Sequence, residues 1–351
     1  MFTNIEDKNN YQLKRKKEYN FGIGILRVCL SFMVIMDHLY NHKIYRRYVY
    51  FFYYHIPTFF LLSFFYTFNT LISFNINKIK ARFERIMIPY IIWSFIYWIF
   101  KIIYFYILKK DCRHSFRDFL NNLLNGHIFN CALWFQNILI LMTISFLIII
   151  FLFQNFYIYT LIVLGILSYI LQYTGMNYQF FRKNFSFHYR LTFGRFAEGF
   201  PNAVSGFYIA SKNFNSILKS NERITIINSL IILSFITKFN IFSDIQTFKY
   251  GGIRLNIASI CIFFIFYLFP FKSLKNKFII NIIKQLTSYT GGIYFIHNLI
   301  GKGYILRKIL PILLIKRNSL LHCIIVFFIS YTICFYGTKL FGKTKFRHLF
   351  A

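Results

Sequence analysis

Three side chains in the first long apolar stretch of this chain could do chemistry: Arg27, Asp37 and His38. A charge inside a membrane-spanning helix is expensive, so each is a functional candidate by default. Arg27 and His38 are eleven residues apart, close to three helical turns. That spacing puts them on one helix face about 16 Å apart along the axis. Ser31 and Val34 lie between them on that face, and Asn41 and His42 follow. A guanidinium pairs well with phosphate. A neutral imidazole titrates near working pH and can take a proton from a hydroxyl. Asp37 points about 100° away from its neighbour, so it orients His38 only if the helix end is irregular. The same spacing also fits a plainer arrangement, in which Arg27 snorkels to one interface and His38 sits in the other.

Other polar groups fall in apolar stretches. Arg195 and Glu198 are spaced to pair on one helix, as a structural ion pair or as part of a site. Tyr294 and His297 occupy neighbouring positions on a late helix. His55, Pro57 and Ser63 lie in the second apolar stretch, where Pro57 reads as a kink. Much other chemistry has no sequence signal. There is no Gly-rich phosphate loop, no HExxH and no G-x-S-x-G elbow. Of the six cysteines, Cys29, Cys261, Cys323 and Cys334 sit in apolar spans and read as small buried hydrophobes. Cys112 and Cys131 bracket the longest loop, as two thiols or as a disulfide if that loop is extracytoplasmic. No CxxC pair or Cys/His ligand spacing occurs, so no metal is expected.

The elements that must position these groups are membrane helices. The chain is 57% hydrophobic and only 15% charged over 351 residues, whereas soluble domains run near a quarter charged. The expected fold is an all-α integral membrane protein, a bundle of about ten transmembrane helices, since a span needs about twenty apolar residues. The spans read Phe21 to Tyr40, Phe52 to Ile72, Ile86 to Leu108, Ala132 to Phe153, Phe156 to Tyr173, Leu191 to Ala210, Ile224 to Phe242, Ile253 to Pro270, Leu286 to Tyr304 and Ser319 to Leu340. Residues 1–20 form a basic arm with Lys14, Arg15, Lys16 and Lys17, residues 21–340 a single domain, and residues 341–351 a short tail. No cleavable leader is expected, because the polar start precedes an apolar run too long for one. The net charge of +31 lies between apolar segments, where it meets lipid headgroups and not nucleic acid. The basic arm favours cytoplasmic termini by a small margin, since lysine occurs in nearly every loop.

Five segments, in order, carry a family resemblance. Arg27-x10-His38 in the first span resembles the first-helix signature of the membrane acyltransferase-3 family. His55 through Ser63 (HIPTFFLLS) resembles its second helix, a Pro, two Phe and then Ser-Gly-Phe. Lys80 through Tyr90 (KARFERIMIPY) resembles its basic cytoplasmic loop and Pro-Tyr helix start. Leu133-Trp134-Phe135 resembles the opening of its next helix, and Ser288 through His297 its late Ser-x-x-x-Tyr-x-x-His helix. One departure stands out: Phe64 follows Ser63 where the family usually has Gly.

The resemblance implies a membrane enzyme that moves an acyl group, often acetyl, from cytoplasmic acyl-CoA to a hydroxyl of a cell-surface or lipid-linked glycan or glycolipid. It implies His38 and Asp37 as catalytic residues. It implies Arg27, Arg82, Arg85, Ser63, Trp134, Glu198, Tyr294 and His297 as donor- or substrate-binding residues. Acyl-CoA is then a co-substrate, no cofactor or metal is held, and the protein resides in the cell membrane among its lipids. Two other classes fit an all-membrane chain with intramembrane charges: an exporter of polysaccharide or lipid-linked glycan, and a membrane partner without chemistry. Exporters often show internal repeats, and none is visible here.

Overall fold

The computed structural model describes residues 20–40, 54–107, 116, 119–120, 123, 133–173, 187–212, 220–239, 252–269, 276–301 and 319–351. The basic arm up to Tyr19, Asn41 and His42, and the Cys112 and Cys131 pairing lie outside the described residues. Among the described residues the secondary structure is entirely helical: α1 Phe21–Leu39, α2 His55–Ile72, α3 Ile76–Ile107, α4 Trp134–Phe153, α5 Tyr157–Tyr173, α6 Phe187–Ser211, α7 Ser220–Phe239, α8 Ile253–Leu268, α9 Lys277–Ser288, α10 Thr290–Gly301 and α11 Leu320–Phe341. A 3-10 turn, Lys345–Leu349, follows. Helices α1, α2, α3, α4 and α11 are long and apolar enough to cross a membrane. Helices α5 and α8 are shorter but also apolar. The outward faces of α3, α4 and α5 carry bare Phe95, Ile99, Phe100, Ile148, Phe151, Val163 and Ile166, a surface that suits hydrocarbon and not water. The protein is an integral membrane protein built from helices.

The expected ninth span, Leu286 to Tyr304, corresponds in its described part to α10. Helix α9, which falls mostly in the basic loop between two expected spans, is a separate helix of 12 residues that ends before Tyr289. A helix of that length reaches only about 18 Å, well under the hydrocarbon thickness. Side-chain caps mark several starts: Asn20 accepts the Ile23 N–H, Asn276 the Phe278 and Ile279 N–H groups, and Ser319 the His322 N–H.

Helix α1 is central, touching α2, α8, α9, α10 and α11. The tightest seam joins α2 to α6. A Cβ on Gly199 would lie 2.6 Å from the Phe60 ring, and one on Gly206 would land on the Leu61 carbonyl oxygen. Such close approach is how membrane helices associate when both lipid and helix are apolar. Helix α6 also contains Pro201, which has no N–H to return to the Ala197 carbonyl four residues back. Helix α5 fills that gap: Ser168 Oγ and Gln172 Nε2 both donate to Ala197 O, at 2.8 and 2.6 Å. Gln172 Oε1 in turn accepts the Gly252 N–H just before α8. Asn202 Nδ2 donates to Asn256 Oδ1 across the same three-helix junction.

The short C-terminal tail is packed. Trp93 Nε1 on α3 donates to Leu349 O at 3.2 Å, and Lys345 pairs with Glu84 at 2.8 Å. The Phe350 ring stacks on Phe341, and its space is left by Gly337, where a Cβ would meet that ring at 2.5 Å. Gly292 makes similar room for the Phe350 carbonyl.

Candidate functional site

The residues named from sequence gather into four groups, two of them on α1, and a separate pair of Asp37 with His55. At the N-terminal end of α1, partly buried Arg27 donates through Nη2 to Thr290 Oγ1 at 2.9 Å. Thr290 Oγ1 donates onward to Thr287 O at 3.0 Å, and Thr287 Oγ1 reaches Gly24 O at 3.2 Å. The break between α9 and α10 therefore supplies the first partner of Arg27. Ser31, one turn on, is buried and donates to Arg27 O.

Near the other end of α1 the His38 ring lies 5.2 Å from that of His297 on α10. His297 is fully buried and its Nδ1 lies 3.2 Å from Ile293 O. A carbonyl can only accept, so Nδ1 carries the proton and Nε2 is the basic nitrogen. The Tyr294 ring sits 6.1 Å from His297 and 5.7 Å from Phe135. Helix α1 thus holds a guanidinium and an imidazole on one face, each meeting a residue of α10.

Asp37 does not turn towards His38. Helix α1 is regular through Leu39, so the two side chains diverge as helical geometry requires. Asp37 instead faces His55, the first residue of α2, with Oδ2 4.0 Å from Nε2 and both side chains buried. This pairing was not legible in the sequence. Removing one member takes a buried polar partner from the other. His55→Ala is therefore expected to destabilise the protein by about 1–3 kcal/mol, seen as lower membrane abundance than that of His38→Ala. Equal abundance of the two variants would show that the pair contributes nothing to folding.

A third group surrounds Arg82 on α3. Its Nη2 donates to Ser63 Oγ and to Thr143 Oγ1, each at 3.2 Å, and its guanidinium lies 5.5 Å from the centre of the Phe64 ring. Phe64, which stands where the family usually has glycine, is fully buried and packs on Phe146 at 4.3 Å. The substitution therefore supplies an aromatic face under the guanidinium. Arg85 is not part of this group: it is exposed, and its Nε donates to Ala81 O on its own helix. Lysine at position 82 keeps the charge but cannot reproduce the fork across two helices. If Arg82 contacts an acyl-CoA donor as the resemblance implies, Arg82→Lys is expected to weaken apparent acyl-CoA affinity about tenfold, the value of one charge-assisted hydrogen bond, with Arg85→Ala closer to wild type. Affinity measured by competition in membranes checks both. An unchanged Arg82→Lys would make this residue a helix fastener only.

The fourth group joins α4 to α6. Arg195 Nη1 binds Glu198 Oε2 at 2.7 Å, and its guanidinium lies 4.9 Å from the centre of the Trp134 ring. The pairing of Arg195 with Glu198 was expected; the stacking on Trp134 was not. Thr143 and Thr290 were also missed, because nothing in their spacing distinguishes them from other helical threonines. Among the described residues no three His, Cys, Asp or Glu side chains are grouped to hold a metal ion.

Comparison with known proteins adds a match over most of the chain. Neither the curated proteins nor the solved structures contain a match to this chain. A family model described as an acyltransferase domain (Acyl_transf_3) matches residues 20–339, nearly the whole chain, and the protein belongs to this acyltransferase-3 family.

Proposed function

We propose that this acyltransferase moves an acyl group, commonly acetyl, from cytoplasmic acyl-CoA to a hydroxyl of a cell-surface or lipid-linked glycan. The observation that carries this reading is the arrangement of α1, with Arg27 on Thr290 at one end and His38 beside His297 towards the other. The eleven-residue separation is about 16 Å, comparable to an extended pantetheine arm.

In this reading the donor's phosphates lie at the Arg27 end, with Arg82 and Arg85 as further cationic contacts. His38 takes the proton of the acceptor hydroxyl as its oxygen attacks the thioester carbonyl. The C–O bond forms, the C–S bond breaks, and the imidazolium returns the proton to the departing CoA thiolate. His297, protonated at Nδ1 by its bond to Ile293 O, turns a basic nitrogen into the site and steadies the charged His38 ring. Tyr294 and Trp134 line the acceptor side, with Glu198 held to Arg195 behind them. Ser63 fixes Arg82. Asp37 acts through His55 to anchor the end of α1. About ten spans, with both termini in the cytoplasm, place the donor end on the cytoplasmic side.

Sealed vesicles of defined orientation test this directly. Labelled acetyl-CoA supplied to the cytoplasmic face is expected to put label into a glycan fraction, and label supplied to the opposite face is not. Label entering from the opposite face would reverse the orientation. Failure of any acyl donor to label glycan, with glycan export lost when the protein is removed, would favour transport instead.

A further inference from the structure

Helix α9 has three distinct sides. Ile280, Ile283 and Thr287 face the bundle, Thr287 hydrogen-bonding Gly24 O on α1. Phe278, Ile279 and Ile282 form an open apolar side, exposed by 72%, 40% and 38%. Lys277, Asn281, Lys284 and Ser288 make a third, polar side at helical spacing. A spanning helix needs no polar side, and a helix packed wholly in water does not leave three large hydrophobic groups bare. The length of 12 residues also rules out crossing the bilayer alone. One environment satisfies all three sides: the boundary between acyl chains and headgroups, with the bundle behind.

We propose that α9 lies in the membrane interface, its apolar side among the acyl chains and Lys277 and Lys284 on anionic lipid headgroups. Charge complementarity selects this occupant. The two lysines project from the polar side, Lys272 and Lys275 precede the helix in the sequence, and the chain carries a net charge of +31. The proposal does not depend on the acyl-transfer reading. Its geometry does place anionic lipid next to the Thr287–Thr290 link that holds Arg27.

Tryptophan at Phe278, read as the emission difference from wild type, tests the placement in vesicles of mixed zwitterionic and anionic lipid. Bromine placed near the headgroup end of the acyl chains is expected to quench it more than bromine near the bilayer centre or an aqueous quencher. Brominated phosphatidylglycerol is expected to quench more than brominated phosphatidylcholine at equal fraction. Each lysine contributes about fivefold to that local preference, so it should disappear in Lys277→Gln with Lys284→Gln while the shallow depth is kept. Three results would overturn the proposal. Stronger quenching at the bilayer centre would make α9 part of a span. Strong aqueous quenching would place it in water. Protection from every quencher would mean that a second protein surface, such as another copy of this chain, covers it.

Discussion

Glutamine at His38 is expected to cut glycan acylation by roughly a hundredfold or more, with protein level unchanged. Glutamine keeps hydrogen-bonding capacity but has no basic nitrogen at working pH, so it separates proton transfer from packing. Alanine should be equally inactive. The position tolerates the change structurally because His38 is only partly buried. His297 is the contrasting case. It is fully buried and bonded to Ile293 O, so His297→Ala should lower both protein level and activity, with a milder loss of turnover per molecule. Acylation normalised to membrane protein level distinguishes the two. A fully active His38→Gln would remove the reason for assigning it the proton, and with it most of the mechanism.

The largest structural effect is expected at Gly206. A Cβ there falls on the Leu61 carbonyl oxygen, a backbone atom that cannot rotate away. Overpacking against side chains typically costs 1–3 kcal/mol, and two helix backbones have less room to yield. Gly206→Val should therefore lose about 3 kcal/mol or more, a large share of ordinary stability, and lower the thermal transition by many degrees. Gly194→Ala on the same helix is the control, since a Cβ there has nothing within 4 Å. It should be neutral or slightly stabilising, because alanine favours helix over glycine. Matching transitions for the two variants would show that α2 and α6 are not locked at this seam.

The sequence made some features legible and hid others for a physical reason. Spacing along one helix is set by 3.6 residues per turn, so the shared face of Arg27 and His38 and the Arg195–Glu198 pair could be read directly. Contacts between helices depend on how each is rotated, which spacing along a single helix does not specify. Asp37 with His55, Arg27 with Thr290, and Arg82 with Ser63 and Thr143 are all of this second kind. Helix α9 was hidden for another reason. Lys277, Asn281 and Lys284 lower its hydropathy, so it reads as a basic loop before the next apolar stretch. The roles of the gathered residues rest on the family and on the proposed mechanism.

The packed tail gives assembly a clock. Trp93 and Leu349 are 256 residues apart, yet one hydrogen bond joins them. Synthesis at 5–20 residues per second separates their emergence by roughly 13 to 50 s. Helix α3 therefore enters the membrane long before its indole N–H can meet its final acceptor. The recess left by Gly292 and Gly337 is completed only with α11, shortly before Phe350 follows to fill it.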